Sequence, residues 1–229
     1  MSLQIISPEP SPPPRPTSPS PVLLCIDNQG DLEMWRAGTS NKEHIDRLEW
    51  NDIRSVEGFG EQLRALTEVK VAYFHHCDIF HSIEAVHPLT NLGSSLVQLT
   101  IYNAKTSPTA MEDLLAGLPK LCQLFVHGIH IKSDPDFVGN RPIPFFENSG
   151  EMCLFSMDYS EGTLGWIPQT PHFKGLSIGT LCAHQNPELV GRWIRSSCET
   201  LKDLELKYDP NINGMCLGQY NFQSSLLTL

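Results

Sequence analysis

The most constraining feature of this chain is a spacing of aliphatic residues that returns again and again. Leu96, Leu99 and Ile101 occupy the first, fourth and sixth positions of a short block, and Leu121, Leu124 and Val126 repeat the pattern in the next one. Between them Met111, Leu114, Leu115 and Leu118 recur at steps of three and four, which is the period of a helix with one buried face. The stretch from Leu96 to Ile131 therefore reads as strand, turn, helix, turn, strand. A unit of roughly 20–30 residues built this way cannot bury its apolar edge alone and has to stack on copies of itself.

Extending the one-four-six rule in both directions gives blocks beginning at Ile45, Leu66, Leu96, Leu121, Met152, Phe173, Leu201 and Leu226. Their fourth positions fall at 48, 69, 99, 124, 155, 176, 204 and 229, and Leu24 with Ile26 forms an imperfect earlier block. The fold expected is α/β: an irregular leucine-rich-repeat-like solenoid of the ribonuclease-inhibitor-like kind, over residues 22–229, with a parallel sheet on one face. The block at Leu226 and Leu229 never reaches its sixth position. The solenoid is therefore expected to be truncated at its C-terminal end, with a frayed or partner-covered edge.

Residues 1–21 are dominated by Pro and Ser and are expected to be disordered, because they carry too little apolar surface to offset ordering. The tail contains Ser-Pro pairs at Ser7, Ser11, Ser18 and Ser20, and Pro10, Pro13 and Arg15 match a PxxPxR ligand pattern. Among the spacers, Ser107-Pro108 opens a helix closed by Gly117 and Pro119, and Asn186-Pro187-Glu188 opens another. Residues 75–90 are expected to be helical and to end near Pro88, while 132–150, rich in proline and glycine, are expected to form a long loop.

The blocks SSLVQLTIYN, LLAGLPKLCQLFVHGIHI and LVGRWIRSSCETLKDLELKYD resemble the leucine-rich-repeat-like part of fungal, especially basidiomycete, F-box proteins over roughly residues 60–229. That resemblance implies a substrate-binding role in an SCF-type ubiquitin ligase receptor. Residues 22–60 do not match the F-box itself, so docking of a Skp-type adaptor is not expected from this chain. The asparagine usual at position nine is also missing; the positions hold Ile53, Phe74, Ala104, Ile129, Ser160, Leu181 and Asp209.

Chemistry is sparse. A formal charge of −10 opposes binding to nucleic acid or to an anionic membrane surface, and no apolar run is long enough to span a bilayer. The seven cysteines are never in CxxC spacing and read as reduced thiols of a cytoplasmic or nuclear protein. His75, His76, Cys77, Asp78, His81 and His87 suggest a metal or small-ligand site, but they lack a second pair at finger-like spacing and read as surface and strand-end residues. Neither a nucleophile elbow nor a phosphate-binding loop is present, so no enzyme, cofactor or metal is expected. Glu61, Glu68, Glu112 and Asp113 read as solvated acids.

The residues between the inward positions face away from the core. They include Lys70, Tyr102, Phe125, His127, Asp158, Asp203 and Lys207, the candidate contacts for a protein partner on the strand face. Phe125 is the odd residue on a solvated surface. It marks either an aromatic anchor or a side chain covered by the 132–150 loop.

Overall fold

The computed structural model describes residues 22–37, 45–132, 134, 137–139, 141–156, 164–181 and 187–208. The Pro-rich tail, Asp158 and the block at Leu226 lie outside the described residues.

Eight strands form an open, wholly parallel sheet. They are β1 (Val22–Ile26), β2 (Ile45–Asn51), β3 (Val71–His75), β4 (Gln98–Tyr102), β6 (Gln123–His127), β8 (Gly150–Phe155), β9 (Phe173–Leu181) and β10 (Asp203–Tyr208), adjacent in that order. Two short strands, β5 (Lys105–Thr106) and β7 (His130–Ile131), pair with each other beside it. The helices are α1 (Gln29–Ala37), α2 (Gly60–Ala65), α3 (Ile83–Val86), α4 (Pro108–Ala116), α5 (Pro144–Glu147) and α6 (Pro187–Ser196). Among the described residues no helix is long and apolar enough to cross a membrane.

Strand alternation divides the sheet into a core face and an open face. Leu48, Ala72, Leu99, Leu124, Met152 and Leu176 are paired into one row, and Trp50, Phe74, Ile101, Val126, Leu154 and Ile178 into the next. All twelve are at most 2 % exposed. The last members of the two rows, Leu204 and Leu206, are 45 % and 37 % exposed, because β10 has no strand beyond it among the described residues. The short early block is confirmed as a strand, with Leu24 beside Leu48 and Ile26 beside Trp50.

Two blocks sit in a different register from the one the spacing predicts. In β3 the inward residues are Ala72 and Phe74, with Val69 buried just before the strand and Val71 turned outward; in β8 they are Met152 and Leu154, Phe155 is turned outward, and Met157 lies outside the described residues. Val69, Ala72 and Phe74 satisfy the same one-four-six rule as Leu66, Val69 and Val71. Packing decides between them: the Phe74 ring sits edge-on to Trp50 at 5.5 Å and to Phe80 at 5.4 Å, inside the core. In the corrected register, position nine of the β3 block is Cys77. Its thiol faces two backbone carbonyls, those of Trp50 and His75, at 3.5 and 3.3 Å.

Each of five strands ends in a left-handed residue: Asp52, His76, Asn103, Gly128 and Ser156. The amide N–H groups of the first four donate to His75, Tyr102, His127 and Phe155 on the following strand, at 2.8–3.0 Å. This turn carries the chain off the sheet and buries Ile53, Cys77, Ala104 and Ile129 immediately after it.

The helical layer follows the sequence in most places. Ser107 caps α4 by accepting from the Ala110 amide, Pro108 fills the first turn, and Met111, Leu114 and Leu115 are buried. α3 ends at Val86, near Pro88 as expected, but the chain runs on as a 3-10 segment, His87–Ser94, which takes Pro88 in its first turn, where the missing N–H costs nothing. The segment 132–150 is not simply a loop either. Pro144 begins α5, whose Phe145 and Phe146 are buried, with Phe146 against Phe173 at 5.8 Å. Glu112 and Asp113 are not merely solvated: they accept from the Arg141 amide at 3.0 Å and the Arg141 guanidinium at 2.5 Å, fastening that segment to α4.

Gly128 has φ +62°, and a Cβ there would lie 2.2 Å from Oδ1 of Asn103. Gly128→Ala is therefore expected to destabilise the chain by about 1–2 kcal/mol, read as a lower urea midpoint at unchanged slope. An unchanged midpoint would refute the turn geometry.

The two ends of one buried row should respond unequally to the same truncation. Leu124→Ala is expected to cost about 2–5 kcal/mol and Leu204→Ala well under half of that, measured by equilibrium urea unfolding. Equal losses would mean that β10 is covered in solution.

Candidate binding face

The open face of the sheet is built from the residues that alternate with the core rows. Parallel sheets are usually covered on both sides. Here Tyr73, His75, Thr100, Tyr102, Phe125, His127, Cys153 and Phe155 are all half-buried, neither in the core nor fully in water.

Register fixes which of them meet. Tyr102 pairs with His127, and their rings stack 4.4 Å apart at an interplanar angle of 2°. His75 lies 5.7 Å from Tyr102 on one side, and Phe155 lies 6.4 Å from His127 on the other. The result is a row of four rings across β3, β4, β6 and β8, at the end of the sheet where the left-handed turns begin. Phe125 stands one pair further in, between Thr100 and Cys153. On the N-terminal side the Arg47 guanidinium covers the Tyr73 ring at 4.4 Å, and Gln98 donates to the Tyr73 hydroxyl at 3.3 Å.

The face is notched at β9. Its three outward residues are Gly175, Ser177 and Gly179, aligned with Glu151, Cys153 and Phe155 of β8. The Phe155 ring leans into the space above Gly179, where a Cβ would come within 2.0 Å of it. Over Gly175 and Ser177 the notch stays open as a concavity of about 450 Å³, bounded by Phe125, Glu151 and Cys153 on one side and by Asp203 and Glu205 on the other.

The charges around the notch are organised by contacts. Glu151 accepts from the Lys174 ammonium and from the Gln123 amide, both at 2.8 Å, and these bonds hold its carboxyl below the usual range. Glu205 accepts from the Ser177 hydroxyl at 2.8 Å. Burial pushes the Cys153 thiol up, and the carboxylates of Glu205 and Glu151 push it the same way, so this wall of the notch is a neutral thiol.

The candidate residues divide as follows. Tyr102, Phe125, His127 and Asp203 lie on the open face, and Phe125 is part of the notch wall rather than hidden beneath the 132–150 segment. Lys70 is exposed but precedes β3, where its backbone receives the Val97 and Gln98 amides, so it marks the rim and not the centre. Asp158 lies outside the described residues, as does the side chain of Lys207. Tyr73, His75, Cys153 and Phe155 were hidden by the misplaced registers of β3 and β8; counting from Ala72 and Met152 would have placed them on the face.

The histidine-rich patch does not converge. His75 stands on the open face, Cys77 is in the core, the His81 ring bonds the Asp78 carbonyl, and the ring of His87 faces Asp113 at 3.8 Å. Among the described residues no group of three or more His, Cys, Asp or Glu side chains could hold a metal ion.

No protein-family model, curated protein or solved structure matches this chain.

The thiols provide a check on that geometry. Burial raises the Cys77 thiol to about 11, whereas Cys122 and Cys198 are exposed. The thiolate is the reacting species, and a raised pKa lowers its share at any pH below that value. Iodoacetamide at pH 8, followed by peptide mass mapping, is expected to label Cys122 and Cys198 first, Cys153 slowly and Cys77 only after unfolding. Prompt labelling of Cys77 in the folded chain would overturn its placement.

Proposed function

We propose that this chain is a non-enzymatic protein-recognition scaffold, an irregular leucine-rich-repeat-like solenoid that binds its partner on the strand face. The observation that carries this reading is the run of half-exposed rings on one side of a parallel sheet, with the stacked Tyr102 and His127 at its middle and Phe125 beside them. Aromatic side chains in that state leave apolar area in water that a partner can cover, and they lose little rotamer freedom when it does. The strand order supports the solenoid reading, because each strand of the large sheet lies beside the one before it in sequence.

The resemblance to the repeat region of fungal F-box proteins supplies the partner class: a protein marked for degradation, met in the cytosol or nucleus. On this reading Asp203, with Lys70 at the rim, orients the partner and sets its rate of arrival more than its final affinity.

The test is a double variant, Tyr102→Ala with Phe125→Ala, checked for folding by circular dichroism and urea midpoint. Each anchor can carry about 2 kcal/mol or more, so the pair should reduce partner retention at least a hundredfold. Deleting residues 1–21 should leave retention intact. Retention that survives the double variant and disappears with the tail would make the tail the functional element.

A further inference from the structure

We propose that the ring row of the strand face docks the chain's own proline-rich stretch, residues 8–16, which then competes in cis with an outside partner. This rests on the reading of the strand face as a recognition surface and names a first occupant for it.

The chemistry of the face selects that occupant. The outward positions of β3, β4 and β6 carry no Asp, Glu, Lys or Arg. They display rings instead, together with the polar hydrogens of the Tyr73 and Tyr102 hydroxyls and of the His75 and His127 imidazoles. A charged segment laid over them would lose hydration without meeting an opposite charge. A proline-rich segment suits the same surface. Its backbone offers carbonyl acceptors and few N–H donors, and such segments dock on surfaces lined by aromatic rings. Because proline fixes φ, little chain freedom is lost on docking. Residues 8–16 read Pro-Glu-Pro-Ser-Pro-Pro-Pro-Arg-Pro, and no other stretch of the sequence has three prolines in succession.

Reach supports the pairing. The stretch is tethered to β1, whose first residue is Val22. Register sets the ring row level with the residue after Ile26, about 16 Å along β1 from Val22 at a rise of about 3.3 Å per residue. Tyr102 stands three strands over, about 14 Å at about 4.8 Å per strand. The diagonal is about 22 Å. Pro14, at about 3.1 Å per residue, reaches about 25 Å from Val22. From His75 to Phe155 the row crosses three strand spacings, about 14 Å, close to the roughly 12 Å between Pro10 and Pro14 when extended. A short tether holds the stretch at an effective concentration on the order of millimolar, so a contact weak in isolation still occupies the face.

A fluorescently labelled peptide of residues 1–21 is titrated by anisotropy against two full-length chains. One is unaltered; the other carries Pro10→Ser, Pro12→Ser, Pro13→Ser and Pro14→Ser. The peptide is expected to bind the substituted chain, whose face is open, and to bind the unaltered chain at least about tenfold more weakly. Adding Tyr102→Ala to the substituted chain should cost about tenfold or more. A peptide with the same four prolines replaced by serine should not bind, and this arm leaves the face untouched should the Tyr102 variant not fold. Equal affinity for the two chains, no binding to the substituted one, indifference to a folded Tyr102→Ala variant, or binding of the serine peptide overturns the proposal. If it falls while the Tyr102→Ala, Phe125→Ala variant still loses its partner, the recognition face stands without a cis occupant. If the peptide behaves as expected while that double variant keeps its partner, the face belongs to the tail and the outside partner binds elsewhere.

Discussion

Because neighbouring strands are aligned residue against residue through the middle of the sheet, Leu48, Ala72, Leu99, Leu124, Met152 and Leu176 fall into a line, and the residues between them fall into parallel lines on the other face. Core and open face are thus two sides of the same constraint. A slip of one residue in any strand would turn its aliphatics outward and its ring inward. The left-handed turns at Asp52, His76, Asn103 and Gly128 reinforce this alignment, since each anchors its own strand end to the next one through a backbone bond.

What the open face displays follows from how little the backbone asks of it. Inward positions must be apolar and of fitting volume, whereas outward positions only have to tolerate their cross-strand neighbours. The rings at His75, Tyr102, His127 and Phe155 are tolerated because each packs on the next. The glycines of β9 are tolerated because Phe155 fills one gap, and because a strand held between two others survives the loss of side chains. The face is accordingly free to vary in chemistry without disturbing the core.

The parallel sheet and most of its inward residues were legible in the sequence, because leucine at fixed spacing leaves few alternatives. The register was not legible where aliphatics occupy both parities. Leu66, Val69 and Val71 compete with Val69, Ala72 and Phe74, and nothing local distinguishes them; the contact of Phe74 with Trp50 does. The same ambiguity at Met152 hid Cys153 and Phe155. Tyr102, Phe125 and His127 were found because their blocks have only one good alignment. The notch could not be found from spacing, since glycine and serine on a strand look like weak propensity until the neighbours across the sheet are known. In the 132–150 segment, Pro144 and the two phenylalanines after it form a helix that proline and glycine content had disguised.

The order of the strands also bears on how the chain assembles. In a sheet whose strand order doubles back, some pairings must wait for distant segments to arrive. Here each new strand of the large sheet closes against the one made just before it. Every closure spans a loop of similar size, with an entropic cost on the order of 3 kcal/mol that does not grow as the sheet widens. The growing edge offers the next strand a template already in register. A chain of this kind can build its sheet in the direction in which it is synthesised, one strand at a time, and the last strand to arrive is the first to leave.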